Sequence, residues 1–309
     1  MFHAIETKDL VKRYGSRRAL DGLTLSVPRF ALMGLVGANG AGKTTWMMSV
    51  AGFLHITSGS VNLLNEGPFN PAAHCGRVTI LPQDSELPLE SRPQELLTHY
   101  GLLQGLTRQA AADSAAAMLK EVHLGDRIAS PIRALSHGMR KRVMIAQCFI
   151  GHPEVVLLDE PLSGLDPREV AHMRAFITRR RGQQTILISS HNLHDIEVMC
   201  DHIAFIEKGR TARVATLEEV IGKDSTLVYR VAGEPADYAA LSAAAPDANL
   251  SFDPEASALV CRYDPRRCTA EDINRSLLPA LLAQSDVSTV TRGGDLESAY
   301  LKNITDSQS

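Results

Sequence analysis

The sequence lacks a hydrophobic run long enough to span a membrane. Its longest apolar stretches, around residues 31–36 and 155–158, have the length of buried strands, whereas a membrane-spanning helix needs about 18 or more apolar residues. The opening segment MFHAIETKDL contains no apolar region of a secretory signal. We therefore expect a cytoplasmic protein with no membrane insertion of its own. Any membrane on which it acts must be spanned by another chain.

A charge bias and a cysteine framework are also lacking. The 309 residues carry a formal net charge of −3 at pH 7, which gives no general attraction to nucleic acids or anionic membranes. We accordingly expect no nucleic-acid partner. The five cysteines include no CxxC pair, so the sequence predicts reduced thiols and neither a zinc site nor a disulfide framework.

Hydrophobic periodicity divides the chain into two α/β segments. Residues 1–222 begin with two alternating strands that turn at Gly15-Ser16, and they continue with helices over 92–120 and buried strands joined by a crossover helix. From about residue 223 the pattern changes to strand–helix–strand–strand–helix–strand with a final helix. This order predicts a small α+β, ferredoxin-like domain over residues 223–309.

A glycine-rich loop follows the short apolar strand ALMGLVG. Residues 37–44 read GANGAGKT and match GxxxxGK[ST] between a strand and a helix. Glycines let backbone N–H groups close around phosphates, and the helix N-terminus adds the positive end of its dipole. Lys43 is predicted to reach the β and γ phosphates, and the Thr44 hydroxyl to bind Mg²⁺. The predicted nucleotide-binding residues of this loop are Gly37, Ala38, Asn39, Gly40, Ala41, Gly42, Lys43, Thr44 and Thr45.

A second buried strand, VVLLD, ends in a carboxylate. Asp159 is predicted to order Mg²⁺ at the carboxyl edge of the sheet, where α/β proteins bind their ligands. Glu160 follows directly and could polarise the attacking water. Alone, such a carboxylate is more often a helix cap, but the phosphate loop upstream favours the metal and catalytic roles.

Six motifs stand in the order found in the ATP-binding cassette (ABC) ATPases, which the chain resembles over about residues 4–220. GANGAGKTT corresponds to the Walker A loop, and LSHGMRKRV occupies the signature position ahead of VVLLDEP. Three motifs surround Tyr14 in VKRYGSRRAL, Gln83 in ILPQDSELP and His191 in ISSHNLHDIE. The sixth, SGLDP at residues 163–167, corresponds to the D-loop.

The resemblance implies a role for each of these residues. Tyr14 is expected to stack on adenine, Gln83 to sense Mg²⁺ and the γ phosphate, and His191 to contact the γ phosphate. Taken alone, Tyr14 would more often be a half-buried strand residue, and His191 a hydrogen-bonded histidine. The implied catalytic residues are Lys43, Glu160 and His191, and the implied metal ligands are Thr44, Gln83 and Asp159.

The resemblance also implies the fold, an α/β P-loop NTPase cassette with a RecA-like core, an antiparallel β subdomain and a helical subdomain. In this family two cassettes face each other head to tail, with each ATP between the Walker A loop of one and the signature of the other. Since this chain carries one cassette, a homodimer is implied when nucleotide is bound. The nucleotide contacts implied for the signature and D-loop come from Ser136, His137, Gly138 and Asp166.

The signature is spelled LSHGM where the family has LSGGQ. Ser136 and Gly138 are kept, and their hydroxyl and backbone N–H at a helix N-terminus suit the partner's γ phosphate. Met139 is expected to pack, as in cassettes of type-2 exporters. His137 either turns away from the nucleotide or adds an imidazole donor near the γ phosphate, and the sequence leaves both possibilities open.

Two function classes remain. QELLTHYGLLQGL resembles cassettes that serve type-2 export permeases, and LESAYL at residues 296–301 resembles the ending of their added C-terminal domain. A transport motor would lie on the cytoplasmic face of the cell membrane, with a separate transmembrane permease as its partner. The alternative is a soluble ABC ATPase of translation or DNA repair, which the single cassette and the lack of a long heptad run disfavour. For the C-terminal domain, dimerisation, regulation and simple packing all remain open.

Overall fold

The structure is a computed structural model that describes residues 2–221, 225–265, 267–293 and 296. It divides into two compact units, residues 1–214 and 215–309. The boundary predicted near residue 222 falls outside the described residues, as does most of the LESAYL ending. Both therefore stay predictions.

Both units contain strands and helices. Those in the described residues are β1 (His3–Tyr14), β2 (Arg17–Pro28), β3 (Leu32–Val36), β4 (Ser58–Leu63), β5 (Val78–Leu81), β6 (Val155–Asp159), β7 (Thr185–Ser189), β8 (His202–Glu207), β9 (Arg210–Thr216), β10 (Thr226–Val231), β11 (Ala248–Asp253), β12 (Ala258–Tyr263) and β13 (Val287–Arg292). The helices in the described residues are α1 (Lys43–Val50), α2 (Pro71–His74), α3 (Pro93–Leu103), α4 (Arg108–Glu121), α5 (His137–Gln147), α6 (Pro167–Thr178), α7 (Leu193–Met199), α8 (Leu217–Ile221), α9 (Tyr238–Ala244) and α10 (Ala270–Leu282). A short 3₁₀ helix, Ile132–Ala134, precedes α5.

A six-stranded sheet forms the centre of the first unit, in the order β5-β6-β7-β3-β8-β9. Strands β5, β6, β7, β3 and β8 run parallel. Every residue of β3, β6 and β7 is buried, as continuous apolar runs in a covered parallel sheet require. The predicted buried strands and their crossover helix α6 are therefore confirmed. Because parallel strands end at one edge, the segments that follow β3, β6 and β7 meet there.

A three-stranded antiparallel sheet, β2-β1-β4, contains the predicted hairpin. Its two long strands meet at Gly15-Ser16, where Tyr14 pairs directly with Arg17. Helix α1 is anchored to this sheet by Trp46, which is fully buried and donates its indole N–H to the Thr7 hydroxyl at 3.1 Å. The phosphate-loop helix is thus fixed on its far side by an aromatic side chain whose polar atom is satisfied.

The helical pattern predicted over residues 92–120 is confirmed as helices α3 and α4. The buried residues of α4 are two alanines, a methionine and a leucine. Its first turn is capped by the Thr107 hydroxyl, which accepts a hydrogen bond from the N–H of Ala110. A Cβ built on Gly101 in α3 would lie only 2.8 Å from Cβ of Ala111 in α4. Glycine at this position therefore permits the close packing of the two helices.

The second unit has the predicted strand–helix–strand–strand–helix–strand order. Its four strands form an antiparallel sheet in the order β11-β12-β10-β13, which is the ferredoxin-like arrangement. Leu227 and Tyr229 of the central strand β10 pack in one core with Leu241 of α9 and Leu277 of α10. Helix α10 begins with a capping box between Thr269 and Asp272. The small α+β domain is confirmed for the described residues.

Candidate functional site

A cavity of about 480 Å³ lies at the carboxyl edge of the central sheet. It brings together the phosphate loop, the carboxylates after β6 and the histidine after β7, as the motifs predict. The lining residues are Arg17, Ala19, Asn39, Gly40, Gly42, Lys43, Thr44, Thr45, Gln83, Asp159, Glu160, Ser163 and His191.

Backbone contacts hold the phosphate loop in place. A Cβ built on Gly37 would lie 2.3 Å from the carbonyl oxygen of Ile206 in β8, and one on Gly42 would lie 2.9 Å from a carbonyl oxygen of β2. Gly42 precedes α1 with a left-handed φ of 113°, which favours glycine. In the turn between β8 and β9, the N–H of Gly209 donates to the carbonyl of Ala41 at 2.8 Å. Backbone atoms therefore exclude side chains from this part of the loop.

Lys43 is folded back over the loop that it follows. Its Nζ donates to the carbonyl oxygens of Gly37 at 2.6 Å and Ala38 at 3.3 Å. Burial lowers the pKa of the Lys43 ammonium, while the carboxylates of Glu160 and Asp159 act in the opposite direction. The lysine is thus a buried cation whose hydrogen-bond donors are directed at the loop that would surround phosphates.

Asp159 ends β6 with its side chain almost completely buried. Its Oδ1 accepts a hydrogen bond from the Ser189 hydroxyl. Its Oδ2 is buried and has no hydrogen-bond partner among the described residues. A buried carboxylate oxygen without a partner is costly, so this atom is suited to a cation.

Glu160 and His191 form a pair beside Asp159. The His191 Nδ1 lies 2.8 Å from the Glu160 Oε2, with the histidine side chain 65% exposed and the glutamate side chain 11% exposed. The backbone of Glu160 has a φ of 49°, and its N–H donates to the Ser189 hydroxyl oxygen at 2.9 Å. Such a left-handed non-glycine residue is unfavourable and persists only where its surroundings fix it. Ser189, which sequence motifs do not mark, contacts the Asp159 carboxylate and the Glu160 backbone.

The hairpin of β1 and β2 places an unexpected cation in the cavity. Arg17 lines the cavity, and a Cβ on Gly40 would lie 3.5 Å from its Nη2. Its cross-strand partner Tyr14 is 49% exposed, stands 5.0 Å from the Lys12 ammonium and does not line the cavity. Adenine stacking on Tyr14 therefore stays a prediction. Arg17 could have been suspected only from the hairpin register.

The signature residues lie outside this cavity. Ser136 is the N-cap of α5, and its hydroxyl oxygen accepts from the N–H of Met139 at 3.2 Å. A Cβ on Gly164 would lie 2.9 Å from Cε1 of His137, so the imidazole lies against the D-loop backbone. Asp166 is the N-cap of α6 and accepts two backbone N–H groups. Within one chain, His137 contacts the D-loop. The phosphate cavity is not lined by Ser136, His137, Gly138 or Asp166.

A phosphate loop between a strand and a helix, with a carboxylate ending a second strand at the same sheet edge, defines a P-loop NTPase. Comparison with known proteins identifies the family within this class. The sequence model of the ABC transporter family matches residues 20–163. A Nod factor export ATP-binding protein I of Burkholderia orbicola (strain AU 1054) is 34% identical, with 73% of this chain and 76% of the relative covered.

Two further similarities agree. The uncharacterised ABC transporter ATP-binding protein YhaQ of Bacillus subtilis (strain 168) is 30% identical, covering 71% of this chain and 74% of the relative. A solved structure of the ATP-binding subunit of an ABC transporter superposes with a TM-score of 0.64 at 27% identity, covering 71% of this chain and 92% of that chain. The chain belongs to the ABC transporter family. It is an ATP-binding cassette, and it hydrolyses ATP as the ATPase of a transport system.

Replacement of Gly37 by alanine tests the backbone packing of the phosphate loop. We expect ATP affinity to fall about tenfold or more and the Tm to fall with it, because the new methyl group would displace the loop from Ile206. Calorimetric titration with ATP and thermal unfolding are the measurements. Gly125→Ala is the matched control, since a Cβ there has its nearest backbone neighbour at 3.8 Å. Wild-type ATP affinity in Gly37→Ala would contradict the role given to this contact.

Proposed function

We propose that the chain is the ATPase subunit of an exporter, which drives a separate transmembrane permease as an ATP-dependent homodimer. The observation that supports this proposal most directly is that a buried lysine, an unpartnered carboxylate oxygen and a Glu160–His191 pair meet in one cavity. Export is supported by relatives whose names state Nod factor export and by the QELLTHYGLLQGL segment, most of which forms α3.

The cavity supplies the groups that hydrolysis of a phosphoanhydride needs. Lys43 and the N-terminus of α1 would bind the phosphates. The carboxylate of Glu160 would accept a hydrogen bond from the attacking water and take its proton as the bond to phosphorus forms. His191 holds that carboxylate through Nδ1 and would use its other nitrogen toward the γ phosphate.

The residues present fit a magnesium ion. Asp159 offers its partnerless Oδ2, and the Thr44 hydroxyl and Gln83 amide line the same cavity. No group of three or more His, Cys, Asp or Glu residues in the described part of the chain could hold a metal. Mg²⁺ is usually bound through one or two carboxylates together with water and substrate phosphates, so a cluster of acidic residues is not required. When bound, it would neutralise phosphate charge and orient the triphosphate.

The signature supports the homodimer. Ser136 and His137 are exposed and lie outside the cavity of their own chain. The N-terminus of α5, with Ser136 as its cap, is the type of helix end that receives an anion. A second cassette would bring its nucleotide to this helix end, which gives the signature a function that a single chain does not use. The D-loop would enter the same interface.

A permease partner is part of the proposal. No helix in residues 2–221, 225–265 or 267–293 has the length and apolarity that a membrane crossing requires. The ATPase would therefore act from the cytoplasmic face, as a peripheral subunit of the membrane complex. The cargo would be set by the permease. The C-terminal domain is proposed to contribute to dimerisation or regulation.

Glu160→Gln tests the sandwich dimer. The amide keeps the size of the side chain but cannot take the proton of water, so we expect a stable dimer with ATP and ATP hydrolysis reduced about a hundredfold or more. Light scattering with ATP, with ADP and without nucleotide measures the dimer. A variant that remains monomeric with saturating ATP would refute the sandwich arrangement.

Substitutions in the signature test which positions contact the nucleotide. We expect Ser136→Ala and Gly138→Asp to lower ATP hydrolysis about tenfold or more, because they remove a hydroxyl or place a carboxylate at the phosphate-binding helix end. His137→Gly should cost much less, since the imidazole lies on Gly164. Steady-state ATPase rates provide the comparison. Equal losses in all three variants would show that the contacts are wrongly assigned.

Detergent extraction from the native membrane tests the transport assignment. Affinity capture of the tagged full chain should recover a polypeptide with about six hydrophobic spans of membrane-crossing length. The control is the same extraction with the Gly37→Ala variant, whose ATP binding is expected to be weaker. It shows how much membrane polypeptide is recovered independently of nucleotide. Recovery with ribosomes or DNA alone would instead support a soluble ABC factor.

A further inference from the structure

Glu169, in the first turn of α6, has its carboxylate against the signature. Its Oε1 lies 3.2 Å from Nη2 of Arg142 in α5, with the two side chains 21% and 12% exposed. A Cβ built on Gly138 would lie 2.1 Å from the Glu169 Oε2. The carboxylate therefore packs on the α-carbon of the signature glycine and ion-pairs with a cation of the same helix.

Both members of the Glu169–Arg142 pair make further hydrogen bonds that fix their positions. Arg142 Nη1 donates to the carbonyl oxygen of Val122 at 2.8 Å and reaches that of His123 at 3.4 Å. The N–H of Glu169 donates to the Asp166 carboxylate at 2.9 Å. Hydrogen bonds of charged groups at low exposure are stronger than those of neutral groups. The pair therefore connects the end of α4 and the start of α5 with the D-loop cap.

A second contact also joins the signature to the D-loop. The imidazole of His137 lies against the backbone of Gly164, so consecutive signature residues touch the D-loop and the helix that follows it. The Glu169 side chain does not line the cavity of its own chain. Its effect on ATP bound by its own phosphate loop should therefore be small.

We propose that Glu169 is a positioning residue for the signature. It holds the N-terminus of α5 on the D-loop helix, so that Ser136, Gly138 and the D-loop meet the partner's nucleotide as one body. Arg142 also balances its negative charge, which would otherwise stand beside the position proposed for a phosphate. This inference rests on the proposed ATP-sandwich dimer.

A double-mutant cycle separates positioning from simple packing. Glu169→Ala should lower kcat for ATP about tenfold and leave the Kd of the single chain for ATP within about twofold. Arg142→Ala should cost more, because it leaves an unpaired carboxylate at the phosphate-binding helix end. Adding Glu169→Ala to Arg142→Ala should then restore part of the lost kcat. A double variant slower than both single variants would show that the two side chains act independently, which would overturn the proposal.

The pair Glu121–Arg180 provides the matched control. It joins α4 to the other end of α6, with Nη2 of Arg180 2.9 Å from Oε2 of Glu121, and it lies outside the signature. Glu121→Ala should change the Tm without a change in kcat beyond about twofold. Glu169→Gln, which keeps the shape and removes the charge, serves in place of Glu169→Ala if the alanine variant unfolds. A loss of kcat in Glu121→Ala equal to that in Glu169→Ala would overturn the proposal.

ATP-dependent dimerisation distinguishes the two levels of inference. In the Glu160→Gln background, Glu169→Ala should raise the ATP concentration needed for dimer formation about tenfold. Absence of a dimer in Glu160→Gln alone would refute the sandwich itself. A normal Glu160→Gln dimer, unaffected by Glu169→Ala, together with wild-type kcat in Glu169→Ala, would refute only the positioning role.

Discussion

Backbone-to-backbone packing around the phosphate loop is the constraint on which the rest of the site depends. Gly37 and Gly42 lie where a Cβ would meet carbonyl oxygens of β8 and β2. The β8–β9 turn closes on Ala41 through the N–H of Gly209. Helix α1 is fixed beyond the loop by the buried Trp46. Because both ends of the phosphate loop are immobilised, its N–H groups can converge on one point. The loop is therefore preorganised to bind phosphate.

The second constraint is the burial of charge at the same edge. Asp159 and Glu160 are almost completely buried. The Asp159 carboxylate accepts a hydrogen bond from the Ser189 hydroxyl, and the Glu160 carboxylate lies 2.8 Å from Nδ1 of His191. Ser189 serves both, as a donor to the Asp159 carboxylate and as an acceptor for the Glu160 N–H. One Asp159 oxygen is left without a partner. The sheet edge therefore holds an unfavourable buried acceptor, which a bound cation would satisfy.

The parts of the site that could be predicted are those that neighbouring residues encode. The glycine pattern before Lys43 and the apolar run before Asp159 determine a loop and a strand, and parallel pairing brings them to one edge. Arg17, Ser189 and Glu169 could not be predicted, because their roles arise from register and helix packing between distant segments. A Tyr14–Arg17 hairpin pair needs the register, and the Glu169–Arg142 pair needs the crossing of α5 and α6.

Helix α6 contacts both the signature helix α5 and the helix α7 that follows His191. At its first turn Glu169 binds the signature helix, which is proposed to meet the partner's nucleotide. Further along, Arg174 Nη1 lies 3.6 Å from Asp195 in α7, the helix that follows His191. Burial raises the pKa of the Asp195 carboxyl, and the Arg174 guanidinium opposes that effect. Separating this buried carboxylate from its cation is costly, so the Arg174–Asp195 ion pair holds α6 against α7, the helix that begins two residues after His191.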